Sequence, residues 1–277
     1  MNISEKKKNI FLTGAGSGIG AATARLLAAR GHRVWATSRD TGRLAGLAGV
    51  HALEMDFARP ETVDAAWRRA LEESGGLDAV VQNAGRGIFG SIEETPAATS
   101  RAQWVDLVEG PLQVLRLAAE YFRPLRRGCI IGVSSLAGEM PMPFFSHYSA
   151  GKAALSSLLE GLWMELKPFG VRVVDLRPGD IRTPFNQAVS RPAPGLSPYA
   201  AWMDRAWDES CRLIDGAPDP DTVADVIVAL LESDRVPAVR RCGPWSQAVL
   251  ASWTARILPR TAILEGIRRY YGLGGRP

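Results

Sequence analysis

The 277-residue sequence is short of the groups that staple or metallate a small fold: it holds three cysteines, Cys129, Cys211 and Cys242, and three histidines. An odd number of widely spaced cysteines, with no histidine beside them, fits neither a disulfide framework nor a zinc site. It reads as a reduced, cytoplasmic chain with no metal. No stretch approaches the ~18 uninterrupted apolar residues of a spanning helix. The basic cluster Lys6-Lys7-Lys8 is not followed by the long apolar segment of a secretory signal. Linkers, internal repeats and low-complexity tracts are also missing, so a single large domain is expected.

Charge of either sign is scarce in net terms. There are 33 basic against 29 acidic residues, a balance of +4. From Arg240 onward, seven arginines face one acid, Glu265, so that segment carries +6 and the remainder −2. The basicity belongs to the C-terminal stretch. With a slightly acidic body and no nucleic-acid motif, nucleic-acid binding is excluded from the expectations.

What is present is an alternation. Short apolar runs at 9–13, 34–37, 50–55, 77–81, 129–133 and 171–176 are separated by helical patterns at about 19–30, 60–73, 100–125 and 146–167. Pro60 suits a first helical position. Continuous rather than alternating hydrophobicity marks strands buried on both sides, and βαβ order implies a parallel sheet. The fold class expected is α/β: a Rossmann-like, doubly wound parallel sheet with helices on both faces. Residues 1–242 would form the dinucleotide-binding oxidoreductase domain, with a proline-rich, mobile stretch inside a substrate lid at about 183–215. Helices are expected at 199–213 and 219–232, and a last strand at Ala238-Val239. Residues 243–277 would be a basic, amphipathic helical extension of the same domain.

The loop after the first run reads Thr13-Gly14-Ala15-Gly16-Ser17-Gly18-Ile19-Gly20. Glycines let a backbone turn tightly and approach a pyrophosphate, whose charge meets free N–H groups at a helix N-terminus. Gly14, Ser17, Gly18, Ile19 and Gly20 are the residues expected there. The spacing is not G-x-G-x-x-G, since Ile19 stands where that pattern wants its last glycine, and no Gly-Lys-Ser/Thr follows. A carboxylate is also missing at the end of the second run, where an NAD ribose would want one. Thr37-Ser38-Arg39 stands there instead, and a hydroxyl with a guanidinium suits a 2′-phosphate. NADP(H) is therefore expected over NAD(H). A merely solvated Arg39 beside Asp40 is the competing reading.

Tyr148 and Lys152 lie four residues apart on one helical face, so phenol and ammonium can share a site. A neighbouring cation is expected to bring the tyrosine, ordinarily near ~10, toward the working range. Ser134-Ser135 ends one apolar run, Asn83-Ala84-Gly85 follows another, and Pro178-Gly179 closes a third. All three fall at the carboxyl edge where open α/β sheets take ligands.

Assembled in this order and spacing, Thr-Gly-x-x-x-Gly-x-Gly at 13–20, Asn-Ala-Gly at 83–85, Ser135, Tyr-x-x-x-Lys at 148–152 and Pro-Gly at 178–179 resemble the short-chain dehydrogenase/reductase family. The resemblance spans roughly residues 9–240. It implies a nicotinamide-dependent oxidoreductase acting on alcohols and ketones, commonly a homodimer or homotetramer. In it Tyr148 exchanges a proton with the substrate oxygen, Lys152 holds the nicotinamide ribose and Ser135 bonds the carbonyl. Asp56 matches the acid near the adenine and Thr183 a residue at the carboxamide. The family's usual Asn, in an Asn-x-x-Gly pattern, is replaced by Leu107 ahead of Gly110. That replacement leaves room for a catalytically weak, dinucleotide-binding regulator as an alternative reading.

Phe185, Tyr199, Trp202 and Trp207 in the lid, with Met142, Phe144 and Phe145, suggest a pocket for a bulky hydrophobic substrate. Packing of the lid onto the body explains them as well. The stretch 34–40 and the extended C-terminus look like the branch containing hydroxysteroid and retinol dehydrogenases. A steroid, retinoid or lipid-like carbonyl compound is expected, with NAD-dependent alcohol oxidation as the alternative. In the extension, Trp245, Val249, Trp253 and Ile257 recur at steps of four, flanked by Arg256, Arg260, Arg268 and Arg269. Such a segment can pack on the body or a partner subunit, fold over the pocket, or make a peripheral membrane contact.

Overall fold

The computed structural model describes residues 7–191, 197–251 and 257–274. Among these residues, seven strands form one parallel sheet: β1 (Asn9–Leu12), β2 (Arg33–Ser38), β3 (Val50–Glu54), β4 (Ala79–Gln82), β5 (Cys129–Val133), β6 (Arg172–Pro178) and β7 (Val239–Cys242). Their spatial order is β3-β2-β1-β4-β5-β6-β7. The six apolar runs are all strands, and the seventh strand runs further than Ala238-Val239. The sheet is wound outward in two directions from β1. The ends of β1 and β4 thus flank the switch point, where chain direction leaves a crevice.

Both faces are covered, and the strand period of two sorts the side chains between them. Ile10 and Leu12 point to the face built by α1 (Gly18–Ala29) and α8 (Asp221–Glu232), where they meet Leu27, Val223 and Ile227. Phe11 points the other way, against Trp67 of α2 (Pro60–Ser74), with ring centroids 5.3 Å apart. Ile131 and Ile130 divide in the same manner, Ile130 joining Val114 and Leu159. Burial on both sides is why these strands read as unbroken apolar runs. Pro60 starts α2, and Gly75 ends it in a left-handed conformation.

The long helix expected over 100–125 is not uniform. The chain forms α3 (Ala97–Trp104), a π turn (Val105–Glu109) and then α4 (Gly110–Leu125). Pro111 supplies the reason. It has no N–H to give the carbonyl of Leu107 four residues back, so the ladder must slip. Across the turn Gly110 N bonds Val105 O instead. The helix expected from Ser146 ends one residue earlier than anticipated, as α5 (Ser146–Leu166). Short α6 (Phe185–Ala188) and α7 (Ala200–Asp215) occupy the stretch expected to be a lid. Part of its proline-rich stretch, 192–196, lies outside the described residues. After β7 come a π turn (Ser246–Ala251) and α9 (Arg260–Tyr270). No helix among the described residues is long and apolar enough to cross a membrane.

One polar cluster interrupts the interior. Asp175 on β6 is fully buried; it accepts from Ser134 Oγ and, at 2.6 Å, from Arg177 Nε. Arg177 also pairs with Glu139 and Glu160, and Glu139 in turn holds Arg241 of β7 at 2.6 Å. Buried charge is tolerated only when its partners are present. Asp175→Ala, which strands one side of Arg177, is expected to cost about 3 kcal/mol or more in urea-induced unfolding.

Candidate active site

The crevice at the carboxyl ends of β1, β4, β5 and β6 opens into a cavity of about 530 Å³. Its floor is set by the end of β1. Thr13 is fully buried; its hydroxyl donates to Gln82 Oε1 at 2.8 Å and accepts from the backbone N–H groups of Asn83 and Ala84. Asn83 returns the tie through its amide, which donates to the carbonyls of Thr13 at 3.0 Å and Gly14 at 3.1 Å. The glycine loop is thereby fixed to the end of β4. Gly14 has φ +68°, and a Cβ on it would lie 2.7 Å from Ala84 Cα, so no side chain fits. A Cβ on Gly20 would lie 2.2 Å from the carbonyl oxygen of Gly14, which keeps helix α1 pressed to the loop.

These features fit a dinucleotide. Ser17 precedes α1 but its side chain makes no capping bond, and no acidic residue lies in the first turn. The leading amides of a 12-residue helix are left for an anion arriving from the cleft. Ser17, Gly18, Ile19, Ser38, Arg39, Asp56, Asn83, Ala84, Gly85, Pro178, Gly179 and Thr183 all line the same cavity as Gly14. Gly20 does not line it and acts through packing. Asp56 is partly engaged already, accepting from Ala58 N at 3.1 Å with Arg59 Nε 3.8 Å away. Ser38 Oγ accepts from Asp40 N at 3.1 Å, and Arg39 is exposed at the rim. Arg43, overlooked in the sequence, also lines this end and pairs at 3.4 Å with Asp40. The short 3-10 turn at 41–44 brings it back over Gly16, a placement the one-dimensional pattern does not signal.

At the other end of the cleft Ser135, Tyr148 and Lys152 converge. Ser135 ends the β5 segment, where its Oγ accepts from Ala137 N at 3.0 Å and hydrogen-bonds Tyr148. The lysine is buried on α5, its Nζ donating to Val133 O at 2.7 Å and lying 5.9 Å from the Tyr148 ring centroid. Burial pulls this ammonium down to about 8, while Asp175 behind it works in the opposite direction. Burial also pushes the Tyr148 hydroxyl up to about 12, against the bond from Ser135 and with help from Asp180. Burial thus works against the lowering anticipated from a neighbouring cation, because it disfavours the phenolate.

Leu107 is buried directly beneath this set. A Cβ on Gly151 would lie 2.8 Å from its Cβ, and one on Gly85 would lie 2.9 Å from its Cδ2. Two glycines therefore make room for a branched apolar side chain beside Lys152, where the family pattern has an amide.

The aromatic residues divide into two groups. Met142, Phe145 and Phe185 line the cavity. Phe144, Tyr199 and Trp207 pack behind it around Phe89, with Phe89–Trp207 centroids 5.0 Å apart. Trp202 is not among the lining residues, and its indole nitrogen is buried without a hydrogen-bond partner. Four further lining residues come from the extension: Gln247, Ile267, Tyr270 and Tyr271. Part of the extension therefore folds over the pocket. The stripe expected along it does not: Trp245, Val249 and Ile257 are exposed, and Trp253 and Arg256 lie outside the described residues. Among the described residues, no group of three or more His, Cys, Asp or Glu is placed to hold a metal.

Comparison with known proteins agrees with this geometry. A family model described as short chain dehydrogenase matches residues 8–193. The chain belongs to the short-chain dehydrogenase/reductase family, whose members are nicotinamide-dependent oxidoreductases. Among its curated relatives, a 3-ketodihydrosphingosine reductase of Bacteroides thetaiotaomicron is 30% identical over 273 residues, covering 95% of this chain and 98% of that protein. An NADPH-dependent 1-acyldihydroxyacetone phosphate reductase of Saccharomyces cerevisiae is 34% identical over 205 residues, covering 71% and 68% of the two chains. Among solved structures, a short-chain dehydrogenase from Streptomyces avermitilis superposes with a TM-score of 0.80 at 29% identity, covering 96% of this chain and 99% of that one.

The buried lysine has a measurable consequence. Its folded pKa of about 8 lies below its ordinary 10.5, so between these values the unfolded chain binds more protons. The penalty for burying the ammonium is fully present below about pH 8 and is relieved as pH rises toward 10.5. Lys152→Met removes this dependence. The stability of wild type minus that of the variant is expected to increase from pH 8 to 10, followed by denaturant unfolding; a flat difference would mean the lysine is not desolvated.

Proposed function

We propose that the protein is an NADP(H)-dependent reductase of a bulky, hydrophobic carbonyl compound. The observation that carries this reading is the joining, in one cavity, of the glycine loop, the Ser135–Tyr148–Lys152 set and an apolar wall of Met142, Phe145, Phe185 and Ile267. The relatives named for lipid-related ketone reduction support the substrate class. Residues 183–215 act as the lid, and 243–277 complete the same domain by adding their own residues to the pocket wall.

In the direction of reduction, a dinucleotide held by the glycine loop and Lys152 would supply the hydride that the carbonyl carbon needs. Ser135 hydrogen-bonds the carbonyl oxygen and aligns it against Tyr148. The Tyr148 hydroxyl, held neutral by burial, donates its proton to that oxygen as the carbon–oxygen π bond opens. Lys152 then faces a new phenolate, and its ammonium stabilises that charge in a low-dielectric site. Oxidation of the alcohol runs through the same groups in reverse. Leu107 removes the side-chain amide of the family pattern but leaves Ser135, Tyr148 and Lys152 in one cavity, which favours an enzyme over a dinucleotide-binding regulator.

Preference for NADP(H) rests on the dinucleotide end of the cleft. Ser38 offers a hydroxyl rather than a carboxylate, and Arg39 and Arg43 add two guanidinium groups at the same rim. A 2′-phosphate there gains charge-assisted hydrogen bonds. NAD(H) is the second cofactor and alcohol oxidation the second direction. A small-molecule substrate is the partner, and the family's usual homodimer or homotetramer is the expected assembly. Its place is the cytoplasm, with peripheral membrane contact through 243–277 as a further possibility carried by exposed Trp245, Ile257 and Leu258.

Two variants test the reading. Arg39→Ala is expected to weaken NADPH binding by about tenfold or more while changing NADH binding little, followed by fluorescence titration. Equal loss for both cofactors would remove the 2′-phosphate role. Tyr148→Phe should reduce turnover of lipophilic ketones by at least about a hundredfold with cofactor affinity retained. Normal turnover by this variant would overturn the mechanism.

A further inference from the structure

The mechanism does not use every charged group in the cavity. Asp180 follows Pro178-Gly179 and lines the pocket at its substrate end, close enough to act electrostatically on both Tyr148 and Tyr271. Ile214, Ile267, Tyr270 and Tyr271 line the same cavity, and Glu209 and Arg212 also act electrostatically on Tyr270. The placement of Asp180 is fixed from outside. Gln247, 67 residues away, accepts from Asp180 N at 2.8 Å and donates through Nε2 to the carboxylate. A Cβ on Gly179 would lie 2.4 Å from Gln247 Oε1, so the preceding glycine is what admits this brace.

Among the described residues Asp180 makes no ion pair; Arg39 lies exposed at the dinucleotide rim, and the other basic groups lining the cleft have partners of their own. Arg43 pairs with Asp40, Arg86 with Asp106, and Lys152 donates to Val133 O. Burial raises the carboxyl above the usual range, with Gln247 opposing the shift. Leaving an acid unpaired in an apolar pocket is costly, and the cost is recovered when a ligand brings the missing charge. A carboxylate at this end suits a ligand that donates. The neighbouring tyrosine rings also suit a cation.

We propose that Asp180, braced by Gln247, receives a protonated amine carried beside the carbonyl of the lipophilic substrate, so that the protein selects amino ketones over the matching simple ketones. The proposal rests on the carbonyl-reductase reading and adds a second recognition point to it. Hydride and proton go to the carbonyl as before, and the amine takes no part in bond making. It anchors the reacting carbon at a fixed distance from Tyr148.

The test compares an α-amino ketone bearing a decyl tail with the same ketone lacking its amine, each reduced at neutral pH by wild type and by Asp180→Asn. In wild type kcat/KM is expected to favour the amino ketone by about thirtyfold, the range of a hydrogen bond to a charged group. In the variant the preference should fall to within about threefold of unity. Any general damage from the substitution cancels in the ratio. Calorimetric binding of the two alcohol products, with and without the amine, supplies a readout independent of turnover and should show the same loss. A wild-type ratio near one, or a ratio that survives the substitution in both assays, would overturn the proposal. Failure of wild type to reduce either ketone with either cofactor would instead overturn the reductase reading, and the binding comparison would still decide the role of Asp180.

Discussion

The burial of the Lys152 ammonium is the constraint around which this site is organised. An ammonium taken out of water needs a partner, and the nearest is the Val133 carbonyl at the end of β5. That bond draws the middle of the cleft to the sheet edge. Gly85 and Gly151 are glycines because Leu107 fills the space beside the lysine, and a Cβ on Gly85 would lie 3.5 Å from Nζ itself. Behind it Asp175 partly offsets the desolvation and is itself neutralised by Arg177. The network extends through Glu139 to Arg241 on β7 and, by the Glu139 carbonyl, to Arg260 on α9. The same chain of contacts that supports the lysine therefore also seats the C-terminal extension.

Tyr148 is the counterpart of that constraint. In the protein alone its hydroxyl stays neutral, which is the state a proton donor requires. In the proposed reaction the conjugate phenolate would form on a ring whose centroid is 5.9 Å from the Lys152 ammonium. Burial would then serve both ends of the proton transfer, holding the donor protonated and strengthening the attraction that stabilises its product.

Much of this was legible in the sequence because parallel strands end where their motifs begin. Thr13 to Gly20, Asn83 to Gly85, Ser135, and Pro178-Gly179 each follow directly on an apolar run, so the sheet alone carries them to one edge. Tyr148 and Lys152 are joined by helix spacing. Residues contributed across long separations left no comparable trace. Gln247 meets Asp180 only through the return of the chain after β7, and Ile267, Tyr270 and Tyr271 reach the pocket only through α9. Arg43 depends on a short turn. Burial of Tyr148, which opposes the lowering expected from Lys152, cannot be read from spacing, whereas the interruption of the helix at Leu107 is written in Pro111. The net charge of +4 turned out to describe the extension alone, and part of that basic segment ties it to the body through Glu139.

Hydride delivery to the carbonyl carbon of a lipophilic ketone, the reaction proposed for this cleft, can be followed with NADPH deuterated at the transferring position of the nicotinamide. The alcohol product is analysed by mass spectrometry and proton NMR. One deuterium is expected on the carbinol carbon of each alcohol molecule formed. Alcohol formed without the label at that carbon would contradict it.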